Sequence, residues 1–210
     1  MHEASTITIR QATEADLYPL LSLVHDAMTV YARQSGITQP LESLCEDKAD
    51  MLYHIQTDYV LVAERNGQMA GTVRLVRHGV STAYFSRFAV LPHLRQTGVG
   101  RKLYEAAEAW LQSNGYVYVV LHTALTNEPL VSFYQARGFH LIHCAYDRGY
   151  PRGTFAKDIR PYQHQSAAGL DSRTSQHWTD SAGADDTETS QRRKDSGADN
   201  TGTSQRRTKI

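Results

Sequence analysis

The sequence predicts an α/β fold of the α+β kind: one mixed sheet with helices on both faces, in the order β-α-α-β-β-β-α-β-α-β-β. Three observations carry that expectation. Strand-like and helix-like runs alternate over 81–123 and 117–146, and strand–helix–strand passages of this kind make part of the sheet parallel. Asn66-Gly67 lies between two apolar runs, a hairpin signal that makes another part antiparallel. Patterned apolar residues stop near residue 160, and the length before that point is enough to bury a sizeable core.

The elements follow in order. Thr6-Ile7-Thr8-Ile9-Arg10 alternates as a short strand. Leu17, Leu20, Leu21, Val24, Met28 and Tyr31 recur at helical spacing behind Thr13 as a cap, with Glu14 and Asp16 meeting the positive helix end. Gly36 to Pro40 breaks the chain, and a second helix is expected over 42–56. Tyr59 to Ala63 reads as a buried strand, Met69 to Val76 as its hairpin partner, and Ser81 to Val90 as a third strand stopped by Pro92. Leu103, Ala106, Ala107, Trp110 and Leu111 mark one face of a helix that begins near Gly98 and ends at Asn114-Gly115, a suitable C-cap pair. Strand 117–123, helix 127–137 closed by Gly138, strand 139–146 and strand 154–159 complete the core.

Composition excludes several classes. In 210 residues Lys and Arg number 22 and Asp and Glu 22, a balance unsuited to neutralising nucleic-acid phosphates or an anionic membrane. No apolar run approaches a membrane span, and Met1 to Thr6 lacks the cationic and apolar parts of a secretory signal. Cys45 and Cys144 are too few and too far apart for a disulfide framework or a structural zinc site, so no metal and a cytoplasmic location are expected. From Pro161 to Ile210, seven Ser, seven Thr, seven acidic and seven basic residues fill more than half of the positions. So polar a stretch cannot offset roughly 1–2 kcal/mol per residue of backbone ordering. The expected organisation is therefore a folded domain over 1–160 and a disordered tail over 161–210. In that tail Gly183–Arg193 recurs as Gly197–Arg207 with a period of 14.

Chemistry concentrates in Phe88-Ala-Val-Leu-Pro-His-Leu-Arg-Gln-Thr-Gly-Val-Gly100. Arg95-x-x-Gly98-x-Gly100 stands between a strand and a helix N-terminus, where unpaired amides and the helix dipole attract an anion and glycines let backbone approach it. It is neither a dinucleotide fingerprint, since no third glycine follows, nor a Walker loop, since no Gly-Lys-Ser/Thr occurs. Phe88-Ala-Val-x-Pro92…Arg95-x-x-Gly98-x-Gly100, followed by Asn127…Phe133-Tyr134-x-x-x-Gly138-Phe139, resembles the GCN5-related N-acetyltransferases along essentially the whole core. The resemblance implies a splayed sheet of six to seven strands and transfer of an acetyl group from acetyl-CoA, as co-substrate, to a primary amine.

Onto this chain the resemblance carries the following expectations. Amides of Arg95, Gln96, Thr97, Gly98, Val99 and Gly100 cradle the CoA diphosphate, and Phe88, Ala89 and Val90 line the pantetheine arm and offer an amide to the thioester oxygen. Tyr134, protonated at neutral pH, is the acid for the leaving thiolate. Asn127 caps its helix and touches the CoA arm. His122 stands where some members carry a catalytic Glu, and its ordinary pKa suits a base. Asp147, Glu64 or a water chain are the alternatives. The acceptor meets Tyr31 and the loops 33–41 and 147–153, where Arg148 and Arg152 either clamp an anionic group or form a solvated turn with Asp147, and Tyr150 stacks or bonds. A small-molecule amine is the expected partner, and the family allows a homodimer. The alternatives are a protein N-terminal or lysine acetyltransferase and a CoA-binding regulator without catalysis.

Overall fold

The computed structural model describes residues 6–161. The tail expected beyond Pro161, and residues 1–5, lie outside them.

Strand β1 (Ile7–Gln11) leads into helix α1 (Leu17–Gln34) through one tight turn at Glu14–Asp16. There the Asp16 carboxylate accepts the Thr13 N–H at 2.8 Å and is held by Arg10 at 2.7 Å. Helix α1 buries Leu20, Leu23, Val24 and Ala27, while the expected Leu17, Leu21, Met28 and Tyr31 lie half-buried at the margins of that face. The helix expected over 42–56 divides into a single turn at Glu42–Leu44 and helix α2 (Lys48–Thr57). The reason is local: Asp47 accepts the Asp50 N–H at 2.8 Å and Asp50 accepts the Asp47 N–H at 3.1 Å, a reciprocal cap that fixes the start of α2.

Strands β2 (Tyr59–Arg65), β3 (Gln68–Arg77) and β4 (Thr82–Val90) then run as an antiparallel meander. Helix α3 (Val99–Ser113), strand β5 (Tyr118–Ala124), helix α4 (Glu128–Gln135), and strands β6 (His140–Ala145) and β7 (Arg152–Asp158) follow. The seven strands are ordered β1-β2-β3-β4-β5-β7-β6, with β4 and β5 the one parallel pair among the described residues.

One expectation needs correction. The passage over 117–146 does set β6 in the same direction as β5, but β7 enters between them, antiparallel to both. Burial explains the insertion: β7 carries Gly153, Thr154 and Phe155 in the interior, whereas β6 is exposed almost throughout and takes the edge.

Alternation along β2 shows how the two faces are filled. Leu61 and Ala63 join the core under α3, and Val60 and Val62 join the one under α1 and α2. The feature that positions the site is the parting of β4 from β5. They pair only over Thr82–Tyr84 with Tyr118–Val120. Beyond that point β4 follows β3 up to Val90, and β5 follows β7 up to Ala124, leaving a gap between two strand ends.

Candidate active site

The gap is bounded on the β4 side by Phe88 and Val90, both half-buried and packed against the core under α3. Ala89 points the other way, into contact with Leu23 and Ala27 of α1, so its side chain is structural and only its backbone faces the gap region. At the far end of the gap, the loop before α3 alternates in hand. Gln96 has φ +63° and Gly98 φ +91°, with Thr97 between them outside that region, an arrangement that turns successive amides toward one concavity. Arg95 is tied to α1 by a 3.1 Å bond from Nη1 to Gln34, and the Thr97 hydroxyl donates to the Leu94 carbonyl at 2.6 Å. Val99 is fully buried under the loop, and Gly100 faces the Phe88 ring and Val90. A backbone cradle at the N-terminus of a fifteen-residue helix, with the Arg95 guanidinium beside it, fits a diphosphate.

Tyr134 stands on α4 against the β4 side of the gap. It is 5% exposed, with ring centroids 6.3 Å from Phe85, 6.4 Å from Phe88 and 5.6 Å from Phe139. Burial, reinforced by the hydroxyls of Tyr31, Tyr84 and Tyr104, pushes its phenol well above the ordinary tyrosine value. It therefore holds its proton at neutral pH.

His122 lies on β5 two residues past the last β4–β5 pair, half-buried, with its ring edge-on to Tyr84 at 5.4 Å between centroids. Tyr84 thus stands beside His122, and its hydroxyl adds to the upward pull on the Tyr134 phenol. Tyr84 was not singled out from sequence. Its place in β4, one residue from Phe85 and on the opposite face, was the available signal.

Asn127 caps α4 by accepting the Leu130 N–H at 3.3 Å and donates to Ser35 Oγ at 3.1 Å. Its amide is thus committed to the fold. Of the alternative bases, Glu64 is misplaced: it lies on β2 opposite Thr8 and pairs with Arg10, two strands from the gap. Asp147 is ion-paired with Arg152 at 3.3 Å.

The two loops expected to meet the acceptor close on each other. Tyr31 accepts the Ala124 N–H at 2.7 Å, which anchors α1 to the end of β5, and the Tyr31 hydroxyl raises the pKa of half-buried Tyr150 after burial has done so first. Arg148 pairs with Glu42 at 3.0 Å, and Gly149 lies so near Gln39 that a Cβ would come within 2.7 Å of its amide nitrogen. Arg148 and Arg152 are each paired with a carboxylate of the chain itself, Glu42 for the first and Asp147 for the second.

Residues 24–139 match the acetyltransferase (GNAT) family. The chain belongs to that family. As a GNAT protein it is an N-acetyltransferase that uses acetyl-CoA. It is 28% identical over 138 residues to the uncharacterized N-acetyltransferase YhfO of Bacillus subtilis (strain 168), covering 63% of this chain and 89% of that one. Over 85 residues it is 28% identical to the peptidyl-lysine N-acetyltransferase YiaC of Escherichia coli (strain K12), 40% of this chain and 52% of the relative. Among solved structures, the PaiA N-acetyltransferase of Thermoplasma acidophilum in complex with coenzyme A shares the fold. Its TM-score is 0.63 at 20% identity, covering 73% of this chain and 99% of that one.

Proposed function

We propose that this GNAT enzyme acetylates a primary amine of a small molecule by direct attack within a ternary complex. The diphosphate of acetyl-CoA sits in the 95–100 cradle and the thioester in the gap between β4 and β5, along Phe88 to Val90. The amine nitrogen forms a bond to the thioester carbon and the carbon–sulfur bond breaks. Tyr134 gives its proton to the departing sulfur, and His122 takes the proton that the attacking nitrogen sheds. A backbone N–H of the β4 end stabilises the charge that grows on the carbonyl oxygen.

The observation that carries the small-acceptor reading is the joined pair of loops. The Arg148–Glu42 pair and the Gly149–Gln39 contact bridge the segment after α1 to the turn between β6 and β7. A peptide groove would need these two segments apart. With both guanidinia already paired, Arg148 and Arg152 shape the acceptor entrance, and Tyr31 and Tyr150 face the amine.

The likeness to YiaC over 85 residues favours a second reading, a peptidyl-lysine acceptor. Release of coenzyme A from acetyl-CoA, measured over a panel of small amines and lysine-containing peptides, separates the two. Turnover of small amines with none of peptides is expected, and activity confined to peptides overturns the small-acceptor reading. In the same assay, His122→Ala is expected to lower kcat/KM at neutral pH and to remove an ionisation from the pH–rate profile. An unchanged profile removes His122 as the base.

A further inference from the structure

A buried ion cluster takes no part in the reaction above. Glu46, from the segment between α1 and α2, accepts a two-pronged bond from Arg74 of β3, at 2.8 Å on Oε1 and 3.1 Å on Oε2. Its Oε1 also accepts Nη2 and Nε of Arg87 at 2.7 and 3.0 Å. The side chains of Glu46 and Arg74 are 9% and 4% exposed. Removing two guanidinia and a carboxylate from water is costly, and apolar replacements of such clusters are often no less stable. What the cluster does for the geometry is therefore the more informative question.

The answer lies at Arg87. Thr72 faces Ala89 and Arg74 faces Ser86, so two steps along β3 match three along β4, and β4 holds one extra residue. Arg87 sits in that bulge with φ +49°, a region that disfavours any residue with a Cβ. Nothing in an arginine's backbone preference selects this conformation. Its guanidinium, forked onto Glu46, is what fastens it. The bulge keeps Phe85 and Phe88, three residues apart, on one side of the sheet with centroids 5.3 Å apart. It comes three residues after Tyr84, the last β4 residue paired with β5.

We propose that Glu46 is a positioning residue for the acetyl slot: by holding Arg87 it keeps the β4 bulge formed, and the bulge keeps the end of β4 parted from β5. The role rests on the slot being the acetyl-CoA site, as proposed above.

Calorimetric titration of coenzyme A into the full chain and its variants, with thermal melting alongside, tests it. Arg87→Gly removes the anchor but supplies the left-handed backbone freely, and should bind within about twofold of wild type. Arg87→Ala has neither anchor nor freedom, and should bind roughly tenfold more weakly. Glu46→Gln should match Arg87→Ala. Adding Arg87→Gly to it should restore binding while the melting temperature stays low, because Arg74 remains uncompensated. If Glu46→Gln does not fold, the contrast at position 87 decides alone. Equal binding by Arg87→Gly and Arg87→Ala, whether strong or weak, overturns the role. A wild-type chain that ignores coenzyme A overturns the slot reading first and this role with it, a result visible before any variant is made.

Discussion

Burial acts on Tyr134 in two ways. It fixes the ring among Phe85, Phe88 and Phe139, and it raises the phenol's pKa so that the proton is retained at neutral pH. Tyr134→Phe removes one oxygen and leaves the ring contacts in place. It should lower kcat about a hundredfold or more, the usual worth of a placed acid, while the dissociation constant for coenzyme A stays near wild type. Steady-state kinetics paired with calorimetry reads both quantities. Because the shift is upward, deprotonation of Tyr134 produces no alkaline fall in rate below about pH 10, the ordinary tyrosine value. A fall centred below that pH would assign the limb to another group.

At the scale of elements, the gap depends on how β3 backs the end of β4. Gly71 of β3 faces Val90, and a Cβ there would lie 2.7 Å from the Ala89 carbonyl oxygen and 3.3 Å from Val90. Backbone cannot swing aside as a side chain would. Gly71→Ala should therefore cost about 1–3 kcal/mol in urea unfolding and displace the strand end that lines the slot. The loop before α3 makes a different demand. Gly98 has open space around it but φ +91°, so Gly98→Ala meets no clash and pays only a conformational penalty of about 1 kcal/mol. Its expected signature is weakened coenzyme A binding with little loss of melting temperature, the reverse emphasis from Gly71→Ala.

For the molecule as a whole, acid stability should track two carboxylates. Burial alone would raise the pKa of Glu46, but the guanidinia of Arg74 and Arg87 outweigh it and hold the group at about 2 against an ordinary 4.5. Arg10 first, with help from the Thr13 N–H and hydroxyl, holds Asp16 at about 2 against 3.8 despite its burial. Both folded values lie below the unfolded ones. Their contribution is therefore complete above about pH 4.5 and is lost as pH falls toward 2. Unfolding free energy measured against pH should drop through that window. Glu46→Gln should be less stable at neutral pH by about 3 kcal/mol and show a shallower drop.

Much of this was legible in local chemistry. The Asn66-Gly67 turn, the helical spacing of α1 and α3, the glycines at 98 and 100, and the Tyr134 motif each carry their meaning within a few residues, so order, element type and family followed from the chain alone. Arg74, in the strand Met69 to Val76, finds its carboxylate only in Glu46, 28 positions away. Distance along the chain hid the rest. That β7 enters between β5 and β6, that Arg148 pairs with Glu42, and that Arg87 bends β4 are outcomes of competition among segments far apart in sequence. Local patterns set which surfaces are apolar. Only packing decides which of several compatible surfaces meet, and that choice made the gap between β4 and β5.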